Sequence, residues 1–260
     1  MATRIVEDTL PPSKRDRALA DTLADAFLTD RAPSLFSMVR EEPFVEAPAD
    51  LVRASRSIHA LALQRCVDLT LATLCLLVLA PVMLAVALVI ALSSPGPVFY
   101  SQPRFGRDGA IFGCLKFRTM LVDADRLLQE LLASSPAIQE IWARNRKLRD
   151  DPRITPVGHF LRRYSLDELP QLINVLRGDM SIVGPRPLAT DEAHFYADSF
   201  SIYCSLKPGI TGPWQVGGRN QTSFEARAKL DCEYARTKSY AQDFGLLLRT
   251  IPVVLRGTGF

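Results

Sequence analysis

Histidine is scarce in this 260-residue chain: only His59, His159 and His194 occur, and none stands in an H-E-x-x-H or comparable spacing. That argues against a zinc hydrolase and leaves each histidine better read as structural than as catalytic. The five cysteines, Cys66, Cys75, Cys114, Cys204 and Cys232, form no C-x-x-C pair, and two lie in or beside an apolar run. A disulfide framework and a zinc cluster are therefore disfavoured, and a reducing compartment is expected. Neither sign of charge is in large excess, since 31 Lys and Arg against 28 Asp and Glu give +3. Bulk charge thus does not imply nucleic acid, although a local basic cluster can still serve phosphates or anionic lipid. No internal repeat is visible. A signal peptide is also absent from the pattern, because residues 1–60 mix acids with Pro11, Pro12, Pro33, Pro43 and Pro48 in place of a basic start and a short apolar core. A helix over Arg15–Leu28 is expected there, and the rest of 1–60 reads as a variable, partly disordered extension.

What the sequence does have is one long uncharged run. From Leu69 to Leu92, "LTLATLCLLVLAPVMLAVALVIAL", 24 residues pass without a charge, which is long enough to enter a membrane. Pro81 stands at its middle, next to Ala80, where it removes a backbone hydrogen bond and predicts a kink. Arg53, Arg56 and Arg65 precede the run, and Arg104 and Arg107 follow it. Lys and Arg near a membrane mark the cytoplasmic side, so both ends read as cytoplasmic. A re-entrant helix over 61–97, entering and leaving by one leaflet, satisfies both clues; a straight span with a tolerated proline is the alternative. Ser93-Ser94-Pro95-Gly96-Pro97 then breaks the helix.

Residues 98–260 read as a small basic domain. Alternation predicts a hairpin from Val98–Gln102 and Ala110–Arg118 around a turn at Arg107-Asp108-Gly109. A helical pattern from Leu121 to Leu148 is interrupted near Ser134-Ser135-Pro136, Asp151-Pro152-Arg153 reads as a loop, and His159–Tyr164 as a short helix. In "YSLDELPQLINVL", Leu169, Leu172, Ile173 and Leu176 recur at i, i+3, i+4 and i+7, and Arg177-Gly178 supplies a basic last turn and a glycine stop. The start of that helix carries Asp167 and Glu168. Ser165 as N-cap would complete an S-x-x-E capping box but leave Pro170 too deep. Asp167 as N-cap puts Pro170 in the first turn, where its missing N–H is harmless. Local chemistry alone therefore favours a structural role for the acidic pair. Pulling the other way, free N–H groups at a helix start lower carboxylate pKa values and suit an ionised nucleophile. Guanidinium groups also gather nearby: Arg162, Arg163 and Arg177, with Arg186 between two prolines in "SIVGPRP". The loop "KPGITGPWQVGGRN" adds Gly217, Gly218 and Arg219. Lys116 and Arg118 end the hairpin, and Trp214 reads as core or interfacial. The C-terminal "DFGLLLRTIPVVLRGTGF" fits an amphipathic helix on a membrane or a soluble core helix equally well.

"KFRTM", "DPRITPVGHFLRRYSLDELPQLINVLRGDMSIVGPRP" and "KPGITGPWQVGGRN", following a proline-bearing apolar helix, resemble the bacterial sugar transferase family. These are the monotopic phosphoglycosyl transferases that initiate exopolysaccharide, capsule and O-antigen assembly. The resemblance covers about 60–260. It implies a mostly helical α/β monotopic protein, a re-entrant helix-break-helix plus a small catalytic domain with a β-hairpin and amphipathic surface helices, on the cytoplasmic face of the bacterial inner membrane. It implies transfer of hexose-1-phosphate from a UDP-sugar to polyprenol phosphate with release of UMP, galactose or glucose being favoured by "GRNQTSFEARAKLD". Asp167 matches the nucleophile that forms a covalent phosphosugar, and Glu168 the second acid of the dyad. Arg162, Arg186, Lys116, Arg118 and Arg219 match phosphate-binding positions. The family's Mg²⁺ is expected nearest Asp167. UDP-sugar, polyprenol phosphate and membrane lipid are the implied partners, nucleic acid is not expected, and a homodimer is left open. Two departures stand out: Ala80-Pro81 replaces the family's frequent Ser-Pro at the helix break, and the several membrane helices that precede the core in larger relatives have no counterpart in the polar 1–60. A Mg²⁺-dependent phosphohydrolase of a lipid diphosphate and a non-enzymatic membrane adaptor are the competing readings.

Overall fold

A computed structural model describes residues 58–148, 150–196, 199–217 and 223–257. The extension at 1–57, with its expected helix at Arg15–Leu28, lies outside the described residues, and so do Gly218 and Arg219.

The apolar run belongs to one helix, α1 (Ile58–Ser93), which is uninterrupted at Ala80 and Pro81. Proline removes one N–H and crowds the preceding turn, but Leu, Ala and Val on either side continue the helix. Any change of direction at Pro81 is therefore a bend within one helix and not a gap between two. One stripe of α1 packs inward along nearly its whole length. Leu71, Ala72, Cys75 and Leu76 join a core cluster with Leu172, Val175 and Leu246. Met83, Val86, Ala87 and Ile90 join another with Phe117 and Leu161. The opposite side stays bare: Leu74, Leu77, Val78, Leu84, Leu88 and Leu92 are exposed.

Polar ties fasten both ends of α1 to the same domain. Near its start, Arg65 donates to the carbonyls of Val175 and Leu176 at 2.5 and 2.8 Å. Asp68 accepts from the Ser181 hydroxyl and the Ile182 N–H, both at 2.9 Å. Beyond its end, Gly96 turns the chain with a φ of 116° that an L side chain rarely adopts, and the next strand begins.

The expected hairpin forms, with its first strand running three residues beyond Gln102. Strands β1 (Phe99–Phe105) and β2 (Ile111–Phe117) pair antiparallel from Phe99↔Phe117 to Phe105↔Ile111, and the turn places Asp108 and Gly109 at positive φ. The interrupted helical pattern resolves into α2 (Ala124–Ser134) and α3 (Pro136–Asn145). Next come α4 (Pro156–Arg163) and α5 (Gln171–Arg177), joined by a 3-10 turn over Leu166–Glu168. Gly178, at φ 96°, ends α5 with its N–H on the Asn174 and Val175 carbonyls, as the sequence predicts.

Strand β3 (Ser181–Val183) pairs parallel with β5 (Gly209–Thr211), while β4 (Leu188–Ala189) adds to β1, giving a sheet order β2-β1-β4. The remaining helices are α6 (Phe200–Cys204), α7 (Pro213–Gly217), α8 (Phe224–Thr237) and α9 (Tyr240–Leu255). On α9, Leu246 is core while Tyr240, Phe244, Leu248, Ile251 and Leu255 are exposed at i, i+4, i+8, i+11 and i+15. The outer stripe of this helix is therefore apolar and not part of the soluble core. The result is a mostly helical α/β domain with small sheets and one long apolar helix.

Candidate active site

Strand β2 is a sheet edge, and its unpaired backbone groups need partners. Asn174 on α5 supplies them: its amide donates to the Gly113 carbonyl at 2.8 Å, and its carbonyl accepts from the Leu115 N–H at 2.9 Å. The side chain is fully buried. This clamp fixes α5, and the turn before it, against Lys116 at the end of β2. On the other flank, a Cβ on Gly158 would come within 2.1 Å of the Thr119 carbonyl, so only glycine lets α4 approach this closely. Arg162 on α4 then donates through Nε to Thr119 Oγ1 at 2.9 Å.

Asp167 and Glu168 sit on the 3-10 turn between these two anchors. Neither capping arrangement expected from the sequence forms. Ser165 adopts a left-handed backbone (φ 56°) and makes no side-chain cap bond, and the position that caps α5 is Pro170. The chain takes another course here: α4 ends at Tyr164, the backbone reverses at Ser165, and Pro170 needs no N–H partner at a helix start. Asp167 is thus not serving as a cap. Leu166 and Leu169, on either side of the dyad, join the apolar cluster that Val86 and Ile90 of α1 form with Phe117 and Leu161.

The two acids have opposite surroundings. Glu168 Oε1 accepts from Lys116 Nζ at 2.9 Å and from Arg186 Nη2 at 3.0 Å. Although burial works against its charge, Arg186 and then Lys116 outweigh it and hold the carboxyl well below the usual carboxylate range. Asp167 is only 7 % exposed and makes no hydrogen bond or ion pair with another side chain among the described residues. Burial pushes its carboxyl upward, against the pull of Lys116, Arg162 and Arg186, while repulsion from Glu168 adds to the rise. The expected lowering by helix-start N–H groups does not operate, because no helix starts there.

Arg186 is positioned by its own backbone. Flanked by Pro185 and Pro187, its carbonyl receives Arg227 Nη2 at 3.1 Å and faces the Tyr203 hydroxyl at 3.3 Å. Arg104 Nη1 holds the Pro187 carbonyl at 2.9 Å, and the Gly209 N–H holds that of Pro185 at 2.8 Å. A loop with its carbonyls captured between prolines loses little further entropy on aiming a side chain.

The structure brings Lys116, Arg162 and Arg186 around the dyad. It sends Arg118 elsewhere: the guanidinium donates to the Pro95 carbonyl and, at 2.8 and 2.9 Å, to the carbonyl and hydroxyl of Ser94. Arg118 therefore serves as the bolt at the far end of α1. Sequence reasoning missed Asn174, Glu192 and Arg227, and it placed Trp214 in a core or interface without a polar role. Trp214 is buried, with the guanidinium carbons of Arg186 and Arg227 both 5.2 Å from its ring centre. Asp151 and Arg153, read as a loop, form a buried bidentate ion pair at 2.8 and 2.7 Å.

A divalent cation can be tested against these donors. No group of three or more His, Cys, Asp and Glu residues is gathered as a metal site among the described residues. Mg²⁺, however, is commonly held by one or two carboxylates together with substrate phosphates. Asp167, with its oxygens uncommitted, fits that mode.

The bacterial sugar transferase family model matches residues 59–257. The chain is 45% identical over 196 residues to the exopolysaccharide production protein ExoY of Sinorhizobium fredii, covering 75% of this chain and 87% of that protein. It is 43% identical over 197 residues to an undecaprenyl-phosphate galactose phosphotransferase of Salmonella typhimurium, covering 76% of this chain but 41% of that protein. It is 40% identical over 200 residues to a UDP-glucose:undecaprenyl-phosphate glucose-1-phosphate transferase of Caulobacter vibrioides, covering 74% of this chain and 69% of that one. The matched segment holds α1, the hairpin, the acidic turn and the clamped arginine in a single stretch, and on that basis the chain belongs to the bacterial sugar transferase family.

Proposed function

We propose that this phosphoglycosyl transferase moves a hexose-1-phosphate, of galactose or glucose, from a UDP-sugar to polyprenol phosphate, as the initiating step of exopolysaccharide, capsule or O-antigen assembly. The observation that carries the reading is the contrast within the dyad. Glu168 is consumed by Lys116 and Arg186, whereas the buried carboxylate of Asp167 has no side-chain partner among the described residues, beside Lys116, Arg162 and Arg186. An unpaired buried carboxylate is costly, and it persists where it is needed for reaction. The names of the relatives from Salmonella and Caulobacter supply the substrate class and both candidate sugars.

In the first step an Asp167 oxygen attacks the β-phosphorus of the donor. The bond from that phosphorus to the bridging oxygen breaks, and UMP leaves with the electron pair. In the second, a phosphate oxygen of polyprenol phosphate attacks the aspartyl phosphosugar. The acyl phosphate bond breaks, the Asp167 carboxylate is regenerated, and a polyprenyl diphosphate sugar is formed. Attack of an anion on a diphosphate needs fixed positive charge. Arg186, Lys116 and Arg162 provide it, and Glu168 keeps the first two aligned. Mg²⁺, held by Asp167 with the substrate phosphates, would further neutralise the diphosphate.

The membrane seating is part of the same proposal. A helix tied to one domain at both ends, with a bare apolar flank between, suits a re-entrant segment on the cytoplasmic face of the inner membrane better than a straight span. The outer stripe of α9 suits the interfacial plane beside it.

The test is intact-protein mass spectrometry after mixing with UDP-galactose or UDP-glucose in the absence of lipid. A hexose phosphate adduct on Asp167, with an equivalent of UMP, is expected. Phosphate release without UMP would instead indicate a hydrolase, and an absence of any nucleotide chemistry would favour an adaptor.

A further inference from the structure

Three consecutive carbonyls of the Pro185-Arg186-Pro187 loop are taken by three different elements. The Gly209 N–H of β5 donates to that of Pro185 at 2.8 Å, Arg227 Nη2 of α8 to that of Arg186 at 3.1 Å, and Arg104 Nη1 of β1 to that of Pro187 at 2.9 Å. The two prolines have no N–H to offer, so the loop cannot pair in a backbone ladder and its donors must reach in from elsewhere. Neutral donors would meet that need. Two of the three found here are guanidinium groups, with side chains 11 % and 6 % exposed, and burying charge is expensive. Their counter-charges do not account for them. Glu192 is shared by the pair: its Oε2 lies 3.6 Å from Arg104 and 3.9 Å from Arg227, and accepts from the Ala189 N–H at 3.1 Å. Asp231 is 4.0 Å from Arg227 Nε and takes the Tyr196 hydroxyl at 2.7 Å. Both acids are thus closer to another donor than to Arg227. Among the described residues, the closest polar contact of the Arg227 guanidinium is the Arg186 carbonyl, and its Nε makes no hydrogen bond.

We propose that Arg104 and Arg227, sharing Glu192, are positioning residues: they grip consecutive carbonyls and so set the direction from which the Arg186 guanidinium meets the dyad. The inference deepens the function proposed above and rests on it for the use made of Arg186. The geometry runs through the two peptide planes that flank the Arg186 Cα. The plane before it is held by Gly209 and the plane after it by Arg227. A residue that precedes proline is already confined to extended backbone, so with both planes held the Cα–Cβ bond has a fixed direction. The side chain then reaches Glu168 Oε1 at 3.0 Å from a fixed root. Arg104, one carbonyl further on, keeps the loop from pivoting about Pro187. Two guanidinium groups on neighbouring carbonyls repel, and the Glu192 carboxylate common to both offsets that repulsion. A charge-assisted bond to a carbonyl is stronger and more directional than a neutral one. That gives the buried arginines a purpose that packing does not.

The test reads the Glu168 carboxyl with no substrate present. The full-length chain is made with glutamate carrying carbon-13 at its side-chain carboxyl and observed by NMR in detergent, with Glu168→Gln identifying the signal. Arg186→Gln removes one of the two cations on Glu168 and sets the size of the change. Arg227→Gln should move the signal in the same direction by a comparable amount, and should add nothing in the Arg186→Gln background. A signal that stays in place in folded Arg227→Gln overturns the grip, because a role in packing alone lowers thermal stability and leaves Glu168 with both cations. Should Arg227→Gln fail to fold, Arg104→Gln, whose side chain is less deeply buried, is read by the same criterion. Transfer from UDP-galactose or UDP-glucose supplies the second arm. Arg227→Gln should lower kcat/KM about 10²-fold, as a small misplacement of a positioned group does. In the Arg186→Gln background the same substitution should cost less than about two-fold, and equal losses in both backgrounds overturn action through Arg186. Because the Glu168 signal needs no nucleotide, failure of the grip and failure of the transfer reaction are separate results.

Discussion

Two buried charge sites lie a short stretch of sequence apart and are built on opposite plans. Asp151 and Arg153 face each other one to one, in a bidentate fork whose side chains are each 5 % exposed, with Arg153 also resting on Trp142. Both carboxylate oxygens of Asp151 are taken up by Arg153. At the dyad, one carboxylate oxygen of Glu168 serves two cations whose side chains are 17 % and 23 % exposed, and among the described residues Asp167 has none to itself. The first arrangement is closed and holds the fold. The second is uneven and partly open, as the proposed function requires of a site that takes a ligand. Burial alone does not separate structural from chemical charge in this molecule, whereas the balance of partners does.

That contrast can be broken by substitution. Asp167→Asn removes the unpartnered charge and keeps the volume. Transfer should fall by about 10⁴-fold or more, in line with loss of a covalent nucleophile, with no adduct by mass spectrometry and unchanged membrane association. Near-normal turnover would sink the mechanism. Glu168→Gln leaves Lys116 and Arg186 with a neutral acceptor, and turnover should drop about 10²-fold, while adduct formation on Asp167 stays detectable in long incubations. A complete absence of adduct would make Glu168 a participant in the first step beyond holding the two cations.

At the closed site the effects should move from rate to stability. Asp151→Asn leaves Arg153 buried without its counter-charge, at a cost of about 3 kcal/mol. Thermal unfolding in detergent should shift down by several degrees, while transfer at a permissive temperature stays within about two-fold. A large rate effect with normal stability would put this pair in the site. The bonds from Arg153 hold the Asp151 carboxyl below its ordinary value despite burial. A lowered folded pKa gives stability that is complete above about pH 4 and is lost as pH falls through the folded value. The gap in unfolding midpoint between the native chain and Asp151→Asn should therefore close below about pH 4. The smallest effect belongs to an exposed pair, Arg126 and Glu130 on α2. Arg126→Ala should change stability by less than about 0.5 kcal/mol and leave transfer alone, which calibrates the other variants.

The parts legible in the sequence were those written in neighbouring residues. The reach of α1, the hairpin with its Arg107-Asp108-Gly109 turn, and the stop at Gly178 all follow from periodicity and local breakers, and all are present. Arg162 and Arg186 were read near the dyad from the residues around it, whereas Lys116 was singled out beside them only through the family resemblance. What could not be read depended on partners distant in the chain. Asn174 looks like an ordinary polar residue in an amphipathic helix until the edge of β2 meets it, 59 residues away. Arg118 shares a strand end with Lys116, but only the fold sends it to Ser94 and Pro95. The cap assigned to Asp167 failed because a left-handed Ser165 intervened, and nothing in the local pattern requires that conformation.

Leu166 and Leu169 bracket the dyad and join the same apolar cluster as Met83, Val86, Ala87 and Ile90, while α5, which begins just after it, packs on the first half of the same helix. On the proposed seating, the height of the nucleophile above the lipid tails is set by direct contact with the membrane segment and not by a flexible stalk. A slip of α1 by one turn, about 5.4 Å, would carry Asp167 with it. The bilayer thus acts as the datum from which the reaction is surveyed: a lipid phosphate diffusing at headgroup depth arrives already level with the carboxylate, and the search for it is reduced from three dimensions to two.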